Sequence, residues 1–267
     1  MRINHNLSSL SATNGMAKTE LKMNKSIEKL SSGQRINRAA DDAAGLAISE
    51  KMRAQLSSLD VAKRNVQDGI SLVQTAEGAM DEVHSMLNRM RELTVQASNG
   101  IYTDEDRENI QLEMDELIAQ IDDIANKTNF NGVELLKGAG DIEIQAGINE
   151  GDTITLTSVD VTAATLKIDT IDVSAGIVGG ELEAIDEAIN AVSAARSTLG
   201  ASQNRLEHTM NSITNYHENL TAAESRVRDV DMAKEMAEFT KNQALMQAGV
   251  SIASQANQKN QMIMNLL

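Results

Sequence analysis

The sequence predicts a mainly α-helical chain, in which long antiparallel helical rods form a coiled-coil-like bundle with a small β-hairpin region. Three observations support this fold class: the 267 residues include no proline, aromatic residues make up only 1%, and apolar residues recur every seven positions along two long stretches. Proline interrupts helices, and a sustained seven-residue repeat is typical of left-handed helical bundles. A core built around large aromatic rings is not expected from this composition.

A first rod helix is predicted from about residue 41 to residue 98, where Ser98-Asn99-Gly100 supplies a C-terminal stop. A second rod helix follows Gly179-Gly180 and extends to about residue 230, with the most regular seven-residue series in the chain. Because both series are apolar, we expect the two helices to pair along them. The predicted rod seam consists of Leu59, Val66, Val73, Leu87, Ile185, Val192, Leu199, Leu206, Ile213 and Leu220.

The sequence between the two rod helices predicts another helix and a hairpin. The helix begins at Thr103, which forms a capping-box pattern with the acidic residues that follow it, and ends near residues 128–132. Alternation with a period of two at residues 141–145 and 152–157, around a glycine-containing loop, predicts a β-hairpin. A further short strand is predicted at residues 166–168.

The two ends of the chain are predicted to form a separate terminal helix pair. Residues 1–40 (a helix and linker) pair with the helix of residues 231–267, while residues 41–178 (the rod helices and the hairpin) pair with the rod helix of residues 179–230. Each terminal helix is too weakly apolar to be stable alone in water, so we expect the ends to be mobile in a monomer and ordered by partners. The predicted packing residues of this pair are Leu7, Leu10, Leu21, Leu30, Met236, Phe239, Met246, Val250 and Leu267.

The formal net charge is −15, and it is unevenly distributed. Residues 1–40 carry 7 basic and 2 acidic side chains, whereas residues 101–190 carry 4 basic and 21 acidic ones. Because the largest charged surface would repel phosphates, nucleic acid is not expected as a partner. Membrane insertion is not expected either, because nine Asn or Gln residues interrupt the weakly charged stretch at residues 242–267.

No catalytic, metal-binding or cofactor-binding residue is predicted. The chain has no cysteine and four histidines, none of which is paired at the i,i+3 or i,i+4 spacing of metal ligands on a helix. Acidic clusters such as Asp104-Glu105-Asp106 occur without calcium-loop spacing or a glycine-rich phosphate loop, so helix capping and solvated helix faces explain them. We therefore do not expect an enzyme, and no cofactor is implied.

Several sequence motifs resemble those of one known family. They are MRINHN at residues 1–6, LSSGQRIN at 30–37, DDAAGLAIS at 41–49, NVQDGIS at 65–71, RELTVQ at 91–96, FNG at 130–132 and the final NLL at 265–267. Together they resemble bacterial flagellin, over both ends and nearly the whole chain. The short centre is similar to that of a core-only flagellin, without the variable outer domains that many flagellins insert there.

This resemblance implies a structural protein that polymerises into the hollow, helical filament of the bacterial flagellum, for motility. The terminal helix pair would form the inner core of the tube and would fold on assembly, with the rods around it. The resemblance also implies that the protein is secreted and extracellular, as part of the filament.

The resemblance implies several partners. The first is the chain itself, as a helical homopolymer, and the others are the flagellar export apparatus, a cytoplasmic export chaperone that covers residues 232–267, and the filament cap and hook-junction proteins. Recognition by a host toll-like receptor is implied through Arg89, Leu93 and Glu113, which match the recognised surface. The same three residues also suit packing between subunits.

Two other functions remain open at the level of the sequence. A hook-filament junction protein has similar terminal helices and also forms helical rings. A soluble acidic coiled-coil adaptor would bind a basic partner through the acidic middle and form a discrete oligomer. The motifs at residues 30–49 favour the filament subunit over the junction protein, and the adaptor gives no account of any of the motifs.

Overall fold

The computed structural model describes residues 6–138, 140–174 and 180–264. The chain forms two compact units, a terminal unit of Met1–Leu56 and Glu218–Leu267 and a central unit of Ser57–His217. The elements in chain order are α1 (Leu7–Ser32), α2 (Ala43–Ala97), α3 (Asp104–Lys127), β1 (Asn129–Phe130), β2 (Val133–Glu134), β3 (Ile142–Gln145), β4 (Thr153–Leu156), α4 (Glu181–Arg228) and α5 (Met232–Met264). The prediction of a mainly helical chain with a small hairpin region is confirmed.

Helix α3 begins where the capping pattern predicts. The Thr103 hydroxyl accepts a hydrogen bond from the backbone N–H of Asp106, and the Asp106 carboxylate accepts one from the backbone N–H of Thr103. These two bonds satisfy N–H groups that the first turn of a helix leaves without partners. One face of the helix buries Ile110, Met114 and Ile121 in the central unit.

Two antiparallel hairpins follow α3. Strands β3 and β4 pair in the region of predicted alternation, with Ile144 opposite Ile154 and both side chains buried. Strands β1 and β2 form a shorter hairpin that the sequence analysis did not predict. The sequence signal for it is the Asn131-Gly132 pair, because an Asn-Gly pair favours the two-residue turn of a hairpin. Both residues have positive φ in the structure, 51° and 84°.

The strand predicted at residues 166–168 is wrong. These residues form a turn, in which the N–H of Leu166 donates to the carbonyl of Thr162 and the N–H of Ile168 donates to the carbonyl of Ala163. Leu166 and Ile168 are both buried, as alternating strand residues would be. Alternate burial therefore arises here from a tight turn that is tied to α3, since the Asp122 carboxylate accepts a hydrogen bond from the Ala163 N–H at 2.8 Å.

In the terminal unit α1 packs antiparallel against α5. The Asn6 side chain near the start of α1 donates to the carbonyl of Ala256 at 3.2 Å, and Lys29 near its end forms an ion pair with Glu235 at 3.7 Å. Gly249 lies against Met16, so close that an added Cβ would overlap the Met16 side chain. The two helices thus approach each other closely where one side chain is missing.

The limits of the two units differ from the predicted segment boundaries near residues 40 and 230. Those boundaries follow the breaks between helices, whereas the first turns of α2 and the last turns of α4 belong to the terminal unit. The predicted boundary between residues 178 and 179 lies outside the described residues.

Candidate functional site

The predicted rod seam lies in the core of the central unit. Nine of its ten residues are buried, and the exception is Leu220, which belongs to the terminal unit and is half-buried. Along α2 the unit also buries Met80, which lies seven residues from both Val73 and Leu87 and so belongs to the same seven-residue series. Val83 and Met90 are buried as well, and they belong to a second seven-residue series three residues further along the same face of the helix.

Ion pairs in the central unit give the register between α2 and α4. Arg196 on α4 forms an ion pair with Asp81 on α2 at 3.0 Å, and Arg91 on α2 pairs with Asp186 on α4 at 2.7 Å. As the residue number rises on one helix, the number of its partner falls on the other, so the helices are antiparallel. Because these side chains are about half exposed, they select the register more than they stabilise it.

The terminal unit has almost no apolar core of its own. Among its described residues, Ile36 is the only apolar side chain that is buried. The predicted packing residues Leu30, Phe239 and Met246 are half-buried, and Leu267 lies outside the described residues. The remaining five are exposed, namely Leu7, Leu10, Leu21, Met236 and Val250.

These exposed apolar residues lie along three stripes of the terminal helices. The α1 stripe consists of Leu7, Leu10 and Leu21, the first α5 stripe of Met232, Met236 and Val250, and the second α5 stripe of Leu245 and Ile252. At about 100° per residue, the α1 stripe lies on the side of α1 that faces away from α5. The two α5 stripes lie on either side of the face that carries the buried Asn242.

The second α5 stripe was missed by the sequence analysis. Leu245 and Ile252 are seven residues apart, which was an available signal. That signal was hidden because apolar residues lie on several sides of α5, so no single face of the helix stands out.

Backbone hydrogen bonds in the terminal unit tie the segment after α1 to the end of α4. The N–H of Arg35 donates to the carbonyl of Arg228 at 2.7 Å, and the N–H of Val230 donates to the carbonyl of Gly33 at 3.0 Å. The Arg228 guanidinium also donates to the Glu50 carboxylate at 2.6 Å, and this hydrogen bond lowers the pKa of Glu50. The connection between α1 and α2 is therefore held in place by several independent bonds.

The three residues predicted to take part in receptor recognition differ in exposure. The Arg89 guanidinium contacts the Glu113 carboxylate at 2.8 Å and the Glu92 carboxylate at 3.2 Å. The hydrogen bond with Glu113 raises the pKa of Arg89 most, and the hydrogen bond with Glu92 raises it further. Leu93 is only 2% exposed, so its side chain packs in the core instead of facing solvent. The structure thus brings Arg89 and Glu113 together on the surface and places Leu93 beneath it.

The described part of the chain contains no group of three or more His, Cys, Asp or Glu side chains placed to hold a metal ion. No helix in the same residues has the length and apolar character needed to cross a membrane.

Comparison with known proteins gives the family. Residues 3–141 match the N-terminal helical region of bacterial flagellin, and residues 182–267 match its C-terminal helical region. The flagellin of Halalkalibacterium halodurans is 51% identical to this chain, that of Bacillus subtilis is 46% identical, and each alignment covers the whole of both proteins.

A solved structure gives the same result. The crystal structure of Bacillus cereus flagellin matches with a TM-score of 0.50 and 34% identity, over 60% of this chain and 94% of that one. Neither the junction protein nor the adaptor is favoured by these similarities. The two family models and the full-length relatives agree, so the chain belongs to the bacterial flagellin family and is a structural subunit of the flagellar filament.

Proposed function

We propose that copies of this chain polymerise through the three exposed apolar stripes of the α1–α5 pair. The flagellar filament, to which the chain belongs, is an extracellular appendage. The observation that carries the proposal is the contrast between the units: the terminal unit buries Ile36 alone among its described apolar side chains while exposing side chains such as Leu21, at 67%. Exposed apolar surface of this extent is typical of a protein interface.

The positions of the stripes suit an open-ended assembly. The α1 stripe and the two α5 stripes point in different directions, so one α1–α5 pair has room for more than one neighbour. A contact between different stripes on two copies is heterologous, and a heterologous contact that does not close into a ring builds a helical polymer.

The same surfaces support the prediction that the terminal helices become ordered on assembly. A helix pair with almost no buried apolar surface gains little to offset the conformational entropy that it loses on folding. Neighbouring copies would bury the stripes and supply the missing stabilisation, so that ordering and polymerisation occur together. Amide hydrogen exchange tests this: α1 and α5 should exchange rapidly in the monomer and slowly in filaments, while the core of α4 is protected in both.

Seeded polymerisation tests the function itself. The purified chain is mixed with short filament fragments at neutral pH, and the pelleted protein is measured and imaged by electron microscopy. We expect long hollow tubes from the unmodified chain. The variants Leu21→Gln and Ile252→Gln, each on a different stripe, should pellet at least tenfold less protein, because each places a polar amide where a neighbour would bury the side chain.

The matched control is Ile101→Gln. Ile101 is more exposed than either residue but lies in the loop between α2 and α3, outside the three stripes. It should polymerise like the unmodified chain. A soluble oligomer of small fixed size from the unmodified chain, with no growth from the seeds, would contradict the proposal and point to the adaptor.

Further partners follow from the family as proposals. They are the flagellar export apparatus, by which the chain is secreted, an export chaperone on residues 232–267, and the filament cap and hook-junction proteins. The apolar stripes of α5 support the chaperone, because a chain held in the cytoplasm before export needs these stripes covered.

Recognition by a host toll-like receptor is a separate proposal. The paired Arg89 and Glu113 side chains offer exposed polar groups to a receptor, whereas the buried Leu93 supports them from beneath. Receptor signalling by the purified monomer tests this. It should fall with Arg89→Ala and stay unchanged with Arg64→Ala, an exposed arginine on the same helix. A monomer that gives no signal at all would contradict the proposal.

A further inference from the structure

A cavity of about 280 Å³ lies between α1 and α5 in the terminal unit. Its lining is polar and mainly basic, unlike the apolar stripes on the outside of the same helices. The lining residues are Lys22, Lys25, Ser26, Lys29, Glu235, Glu238, Lys241 and Asn242. Four lysines and two glutamates give this lining a net charge of +2. A mainly basic cavity of this size, open to solvent, favours a small anion.

Two of the four lysines are free to bind a ligand. Lys25 forms an ion pair with Asp41 at 3.3 Å, and Lys29 forms one with Glu235 at 3.7 Å. Lys22 on α1 and Lys241 on α5 have no ion-pair partner among the described residues, and one stands on each wall of the cavity. Glu238, which has no ion-pair partner among the described residues either, also lines the cavity, so two unpaired ammonium groups accompany one unpaired carboxylate and the excess positive charge attracts an anion.

Two buried polar side chains complete the lining. Ser26 is 4% exposed and Asn242 is 8% exposed, and neither side chain makes a hydrogen bond within the part of the chain that the structure describes. Both side chains border the cavity, where their polar atoms remain open to solvent, so a ligand there can take hydrogen bonds that are otherwise made with water.

We propose that this cavity binds a small dianion of the phosphate type. The Lys22 and Lys241 ammonium groups would balance its two charges, and the Ser26 hydroxyl and the Asn242 amide would donate hydrogen bonds to its oxygens. Because these donors come from both helices, a bound dianion links α1 to α5. It therefore stabilises the paired form of the terminal helices, since a ligand that binds only the folded form stabilises that form.

Isothermal titration calorimetry with inorganic phosphate tests the site directly. The full chain is titrated as monomer and as assembled filament fragments, with ionic strength held constant by sodium chloride so that general screening does not change. Saturable binding is expected with at least one of the two forms. It should be at least tenfold weaker in the double variant Lys22→Gln/Lys241→Gln.

The matched control is Lys18→Gln/Lys51→Gln. It removes the same charge from the terminal unit, but neither lysine lines the cavity. Its affinity for phosphate should stay within about twofold of the unmodified chain, because screened charges outside a site contribute little. Ser26→Ala, which removes one donor and little volume, should weaken phosphate binding without changing the helical content measured by circular dichroism.

Two results would overturn the proposal. One is the absence of saturable phosphate binding in both the monomer and the filament fragments. The other is an equal loss of affinity in the two double variants, which would mean that phosphate responds only to overall charge. Seeded growth in sodium chloride alone is recorded in parallel, so a failure of the binding site is distinguished from a failure of the proposed polymerisation.

Discussion

The Nε of Arg91 on α2 donates to Oδ1 of Asp186 on α4 at 2.7 Å, and this pair helps to set the register of two long helices that meet along a mainly apolar seam. Apolar side chains repeating every seven residues pack almost equally well after a shift of one repeat, so charged pairs at the edge of the seam are needed to select one register. The hydrogen bond with Asp186 also raises the pKa of Arg91.

Reversal of one charge in this pair should weaken the central unit slightly. Arg91→Asp should lower the melting temperature by no more than about 2 °C, because the pair is half exposed. The double reversal Arg91→Asp/Asp186→Arg should recover most of the loss, because it restores opposite charges at the same place. Calorimetry of the three variants checks this. No recovery of the melting temperature in the double variant would mean that this ion pair does not help to select the register of the two helices.

A charge placed in the seam should have a far larger effect. Leu206 is completely buried on α4, so Leu206→Asp creates an unpaired buried carboxylate and leaves a gap in the packing. The free energy of unfolding should fall by at least about 4 kcal/mol, a large part of the roughly 5–15 kcal/mol that a typical domain has.

The control for Leu206→Asp is Ser212→Asp, which adds the same group at an exposed position on the same helix. Its unfolding free energy should stay within about 0.5 kcal/mol of the unmodified chain. Urea titration followed by circular dichroism compares the two. An unfolding free energy of Leu206→Asp as high as that of Ser212→Asp, together with normal filaments, would refute the packing of the seam.

Substitution by alanine should have different effects on stability at two glycines inside α2. At Gly78 an added methyl group meets nothing within 4 Å, so Gly78→Ala should raise the unfolding free energy by about 0.5–1 kcal/mol through the better helix propensity of alanine. At Gly69 the methyl group would overlap the Ile144 side chain from β3, which must move. Gly69→Ala should therefore be no more stable than the unmodified chain. An equal gain in unfolding free energy from both substitutions would contradict this, because it would mean that the Ile144 side chain moves aside without cost.

Acid should weaken the start of α3. The pKa of Asp106 lies below its ordinary range, because the Thr103 hydroxyl, at 2.7 Å, and the Thr103 backbone N–H both donate to its carboxylate. A lowered pKa in the folded state means that the contribution to stability is complete above about pH 4 and is lost as the pH falls through the folded-state value.

The stability difference between the unmodified chain and Asp106→Asn should thus be largest at neutral pH and should shrink towards pH 3. Unfolding midpoints across this range measure it. The control, Glu105→Gln, removes a neighbouring carboxylate that takes no part in the capping box, and it should lose less stability at neutral pH than Asp106→Asn. A constant difference for Asp106→Asn would exclude the carboxylate as a capping group.

Local signals in the sequence were sufficient wherever one element determines its own structure. The capping residues Thr103 and Asp106 place the start of α3, and the alternation around Ile144 and Ile154 places the second hairpin. The prediction of a strand at residues 166–168 was wrong because alternate burial also occurs in a turn. This turn is anchored by Asp122 on α3. Sequence alternation reports which side chains are buried and does not report the hydrogen bonds of the backbone.

The sequence by itself determined the helices, their seven-residue seam and the family, because the absence of proline and the spacing of apolar residues act along one chain segment at a time. Only the tertiary structure decided which apolar residues are covered. Leu206 and Leu21 are equally apolar, yet one is fully buried and the other is 67% exposed. The tertiary structure also brought Lys22 and Lys241 to one cavity from opposite ends of the chain. Periodicity shows which side chains share a face of a helix, but what lies against that face depends on segments far away in sequence.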